Sequence, residues 1–101
     1  MLEKVIEAYL VKEVKRRGGM CEKFVSVGKP SVPDRIITMA GGQIVFVEVK
    51  SSTGKVTEGQ ALDHAMRRKL GCHVCVVNSK EDVDLLLNDM VCSMLPQRME
   101  K

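Results

Sequence analysis

Two β-branched runs, residues 34–39 and 43–50, stand on either side of Ala40-Gly41-Gly42. This pairing constrains the fold more than any other feature, because it commits the middle of the chain to an antiparallel hairpin. Strand side chains alternate, so Ile44, Phe46, Glu48 and Lys50 share one face. Loop length then decides what they meet. A two-residue Gly-Gly loop pairs Ala40 with Gln43 and sets Asp34 opposite Val49, facing away from Glu48. A three-residue loop pairs Met39 with Gln43 and brings Asp34 opposite Glu48. Glycine, available for the left-handed position, allows that longer loop with a bulge.

The flanks supply the remaining elements. Leu2, Ile6, Tyr9, Leu10 and Val14 recur at helical spacing over 2–17, and Gly18-Gly19 supplies a stop. Residues 21–27 read as a short strand, followed by a loop stiffened by Pro30 and Pro33. Thr57-x-x-Gln60 resembles a capping box for a helix to Leu70, with Gly71 just past its end. Residues 72–78 form a buried-type strand, and Ser79-x-x-Asp82 caps a last helix to about residue 91. The order αβββαβα suits a mixed sheet with helices on its faces. One domain is expected over 1–95, with a frayed tail over 96–101.

With 101 residues the chain has room for one compact domain. No apolar run reaches the roughly 20 residues of a bilayer span. Met1-Leu2-Glu3-Lys4 lacks the basic-then-apolar layout of a secretion signal, so a cytoplasmic protein is expected. The net charge is +3, with the basic excess in residues 1–70, a distribution that attracts polyanions. Three aromatic residues, Tyr9, Phe24 and Phe46, are too few for a base-stacking platform. Cys72-His73-Val74-Cys75 invites a zinc or redox reading. On a strand its two thiols fall on opposite faces, and Cys21 and Cys92 are isolated, so buried thiols are expected and no zinc.

Glu48 and Lys50 end one face of an otherwise apolar strand, either as a salt-bridged strand end or, with Asp34 opposite, as chemistry. Two carboxylates across a strand pair can hold Mg²⁺ or Mn²⁺ and leave waters on the metal. The metal acidifies water and neutralises a phosphodiester, while Lys50 can orient the attacking water or stabilise developing charge. That constellation hydrolyses phosphodiesters.

Pro33-Asp34, a spacer, then Glu48-Val49-Lys50 resembles the PD-(D/E)XK nuclease signature. More narrowly, the chain resembles the virus-type replication-repair nuclease domain, VRR-NUC, from its first helix and Gly18-Gly19 through Pro33-Asp34-Arg35-Ile36, Gly41-Gly42, Gln60 and Gly71 to the closing Val76-Val77-Asn78-Ser79. It departs at Ser31, where that family often has glycine. The resemblance implies a restriction-endonuclease-like αβββαβ core. It implies metal on Asp34, Glu48 and the carbonyl of Val49, with Lys50 as the catalytic lysine. Gln60 would support the site or contact DNA, and as the partner of Thr57 it is equally a helix cap. The family's first-helix glutamate falls to Glu7, with Glu3 as competitor, because the apolar neighbours of Glu7 make simple solvation costly. Lys29, Arg35, Arg67 and Arg68 are candidate DNA contacts, although Arg35, on the face opposite Asp34, equally suits an acidic partner, and a basic helix end is also favoured by the helix dipole.

The expectation is a Mg²⁺-dependent endonuclease, with Mn²⁺ as substitute, acting on branched DNA such as four-way junctions as a homodimer. The alternative is a non-catalytic DNA-binding module with the same fold.

Overall fold

The computed structural model describes residues 1–99, with side chains through Met90. Its elements are α1 (Glu3–Arg16), β1 (Met20–Lys23), β2 (Arg35–Met39), β3 (Gln43–Val49), α2 (Glu58–Lys69), β4 (Val74–Val77) and α3 (Lys80–Met99). The strands form one mixed sheet in the order β1-β2-β3-β4. The first three are antiparallel and β4 joins β3 in parallel. This is the α/β architecture expected from the element order. No described helix is long and apolar enough to cross a membrane.

The hairpin takes the three-residue form. Met39 pairs with Gln43 and Arg35 with Val47, and the turn closes through Gly42 N–H donating to the Met39 carbonyl at 3.2 Å. Gly41 and Gly42 both have positive φ, 86° and 78°, a conformation costly for any residue with a Cβ. That is why the longer loop closes here without strain.

Alternation along β2 and β3 then separates two faces. Ile37, Met39, Val45, Val47 and Val49 are buried with Ile6, Leu10 and Val14 of α1 and Val83, Leu87 and Met90 of α3. These residues are the apolar core. Glu48 points the other way, toward α2. Gly19 lets α1 approach the sheet, since a Cβ there would lie 2.3 Å from Met39 Sδ.

Several boundaries differ from expectation. β1 stops at Lys23 rather than 27, because pairing with β2 ends as Phe24 N–H donates to the Asp34 carbonyl at 2.9 Å. Val25 and Val27 beyond it are exposed, with no strand beside them. β4 begins at Val74, leaving Cys72 and His73 in the approach to the strand. α3 continues past residue 91 and through Pro96 to Met99. Proline removes one helical hydrogen bond without forbidding the turns around it. The tail expected over 96–101 is therefore helical to Met99, and residues 100–101 lie outside the described part.

Candidate active site

Asp34 reaches the site from the end of the proline loop, immediately before β2. Continuing the β2–β3 register by one step sets it opposite Glu48. Its Oδ2 accepts the main-chain N–H of Val49 at 2.8 Å, which fixes the carboxylate across the strand ends. The loop behind it is pinned to α2. Lys29 Nζ lies 3.2 Å from Asp63 Oδ1, and a side chain at Gly59 would meet Ser31 Oγ at 2.8 Å. Ser31 thus occupies a close contact with the helix.

Glu48 is only 2% exposed. Its Oε2 accepts from Gln60 Nε2 at 3.2 Å and lies 3.6 Å from Lys50 Nζ. Its Oε1 is buried without a hydrogen-bond partner. Burial first, and then the charge and hydrogen bond of Asp34, push the Glu48 carboxyl up to about 7, with Lys50 pulling in the opposite direction. Two acids crowded this way resist carrying two negative charges unless a cation joins them. Lys50 is steadied by its main chain, whose N–H donates to the Val77 carbonyl at 2.9 Å.

Gln60 is both the cap of its helix and a hydrogen-bond partner of Glu48. Its Oε1 accepts from Thr57 N–H at 3.0 Å and its own N–H donates to Thr57 Oγ1, the reciprocal cap of α2. Its remaining amide group reaches Glu48.

α2 also brings two residues that the sequence reading passed over. Asp63 and His64 are the buried side chains of this helix. His64 Nε2 stands 3.6 Å from Glu48 Oε1, and burial, aided by the charge of Arg68, keeps the imidazole below its usual value. Burial would raise Asp63, but hydrogen bonds from Arg67 and Lys29 outweigh it and hold that carboxyl low. The signal was the polar series Gln60, Asp63, His64, Arg67 at helical spacing, a stripe facing inward. Leu62, Met66 and Leu70, spaced like a core face, point to solvent instead.

Of the outlying candidates, Glu7 is placed differently from expectation, whereas Arg35 takes the face opposite Asp34, as alternation along the strand requires. Glu7 does not join the carboxylate pair; its Oε2 accepts from Arg35 Nε at 2.7 Å. Arg35 points to the α1 face, so this ion pair fastens α1 to β2 on the far side of the sheet from Glu48. Arg67 donates to Asp63 at 2.7 Å and stacks 5.0 Å and 4.9 Å from the Phe24 and Phe46 rings. Arg68 donates to the Val74 carbonyl at 2.9 Å. Lys29, Arg35, Arg67 and Arg68 are thus all engaged by acceptors within the protein: Lys29 and Arg35 by acids distant in sequence, Arg67 and Arg68 by acceptors four and six residues away.

Among the described residues no three His, Cys, Asp or Glu side chains gather to hold a metal. A cation at this site would therefore rest on two carboxylates and a main-chain carbonyl. A cleft of about 290 Å³, lined by Lys23, Phe24 and Lys29, opens onto Asp34. The larger cleft, about 520 Å³, lies at the other end of the strands, between the hairpin and Cys72–Cys75, and includes neither Asp34 nor Glu48.

No family model matches the chain. A protein of Acyrthosiphon pisum secondary endosymbiont phage 1, named "Putative nuclease p44", is 43% identical over 79 residues, which are 78% of this chain and 85% of that protein. A solved structure described as "VRR_NUC domain" superposes with a TM-score of 0.80 at 31% identity, covering 85% of this chain and 94% of that one. A second, "VRR_NUC domain protein", has a TM-score of 0.70 at 17% identity over 87% and 86%, a likeness of fold.

Proposed function

The chain belongs to the VRR-NUC nuclease family, and on that premise we propose that it is a Mg²⁺-dependent endonuclease of branched DNA, four-way junctions included. It serves replication, repair or recombination in a bacterial-host cytoplasm, and Mn²⁺ substitutes for Mg²⁺. The observation that carries this reading is the strand register that sets Asp34 opposite Glu48, beside Lys50.

The donor set fits a hard divalent ion. Two carboxylates lie opposite one another across the strand pair, Glu48 Oε1 has no donor, and the Val49 carbonyl follows Glu48 along the strand. Such an ion, when bound, supplies charge neutralisation at the scissile phosphate and acidifies water. Asp34, Glu48 and the Val49 carbonyl would hold it. The Lys50 ammonium stabilises negative charge growing on the phosphate. Gln60 keeps Glu48 from turning away. Lys23, which lines the cleft that leads to Asp34, steers a DNA strand into it.

A homodimer belongs to the same reading. Leu62, Met66 and Leu70 form a stripe along α2 and are 66%, 54% and 76% exposed. A second copy covering that stripe would bury it and set two active sites against a two-fold symmetric junction.

The test is incubation of labelled four-way junction and linear duplex with and without Mg²⁺ or Mn²⁺, alongside Lys50→Ala. Metal-dependent cleavage of the junction, lowered about 10²–10³-fold by the substitution, is the expected result. Binding without cleavage in every lane would replace the nuclease with an accessory module.

A further inference from the structure

Glu48 has two oxygens, and the protein treats them unequally. Oε2 receives Gln60 and Lys50, whereas Oε1 receives no hydrogen bond. The atom facing Oε1 is His64 Nε2, 3.6 Å away and likewise buried without a partner. Buried polar atoms left unsatisfied are uncommon and costly. Two of them facing one another form a hydrogen bond that is poised but open.

We infer that His64 is a positioning residue, whose Nε2–H holds Oε1 of Glu48 in the orientation that a bound metal requires. The inference rests on the metal-dependent reading above. Closing the gap takes a movement of under about 1 Å, into the 2.7–2.9 Å range of a charge-assisted bond. The imidazole is well placed to wait. Its helix is fixed at one end by the Thr57–Gln60 cap and alongside it by the Asp63–Arg67 pair. Metal-bound carboxylates work with such outer partners, which set the ligand's direction without touching the metal.

The test is calorimetric titration of Mn²⁺ into the wild-type protein, His64→Phe and His64→Gln, with thermal melting of the metal-free proteins as the fold control. His64→Phe keeps a planar ring and loses the donor, so Mn²⁺ binding is expected to weaken about 10–100-fold. His64→Gln returns an N–H and is expected to restore most of the affinity. In the wild type, ¹⁵N-resolved NMR of the ring during Mg²⁺ titration should move the Nε2–H signal downfield as the bond shortens. That measurement decides the matter should His64→Phe fail to fold. Equal Mn²⁺ affinity in the wild type and His64→Phe, or a ring signal unmoved by saturating Mg²⁺, overturns the inference alone. A wild-type protein that binds neither ion overturns the metal reading and this inference with it.

Discussion

The side-chain amide of Gln60 is divided between two duties: its nitrogen donates to Glu48 at 3.2 Å while its oxygen accepts from the Thr57 main chain at 3.0 Å. Helix start and site are therefore joined through one residue. Glutamate serves a capping box as well as glutamine does, but it cannot donate to Glu48. Gln60→Glu is expected to retain the helix by circular dichroism and to lower cleavage about 10–100-fold. An undiminished rate would confine Gln60 to the cap.

Stability should depend on pH through Glu48. Its folded carboxyl titrates near 7 against 4.5 when unperturbed, so between those values the native state binds more protons than the unfolded chain. The contribution is complete below about pH 4.5 and is lost as pH rises through about 7. Metal-free protein should thus melt at a lower temperature at pH 8 than at pH 5, and Glu48→Gln should flatten that part of the profile. A slope of the opposite sign carried by Glu48 would contradict the arrangement.

Asp63 gathers Lys29 and Arg67, and Arg67 in turn stacks on Phe24 and Phe46. Removing the acid leaves Arg67 unpaired where it is only 19% exposed. Asp63→Ala is expected to cost about 3 kcal/mol in urea denaturation, and to loosen the loop that delivers Asp34. Unchanged stability would show that the Phe24 and Phe46 rings hold Arg67 by themselves.

Met66 lies at the middle of the outward stripe of α2. A charge placed on an exposed helix site costs an isolated chain within about 0.5 kcal/mol, but it would be buried unpaired in a two-fold contact. Met66→Lys should convert a two-chain species into a one-chain species in sedimentation equilibrium, with little change in melting. Identical masses for both proteins would remove α2 as the contact.

How far the sequence could be read follows from what each feature depends on. The β2–β3 hairpin was legible because glycine and alternation act within a dozen residues, but its register was not: two-residue and three-residue loops both suited Ala40-Gly41-Gly42, and only the pairing of Met39 with Gln43 decides between them. The α2 start was legible for the same reason, with Thr57 and Gln60 three residues apart. Glu7 was not. A helical wheel gives the direction of its carboxylate, whereas its partner, Arg35, comes from another element. His64 and Asp63 were hidden by an inversion: the inward side of α2 meets carboxylates and cations, so its apolar residues are displaced outward. β1 and α3 missed their expected ends because pairing with β2, and not local propensity, ends the one, while Pro96 proved compatible with the other.

The β2–β3 turn has an evolutionary corollary. Val47 and Val49 sit in the core while Glu48, between them, faces α2. If the loop stays three residues long, gaining or losing one residue at Ala40-Gly41-Gly42 would rotate β2 by a whole face relative to β3 and carry Asp34 away from Glu48. A change of two residues would preserve the relation. Descendants of this chain that keep a three-residue loop should therefore vary the hairpin by even steps, so that the parity of its length is inherited even where its letters are not.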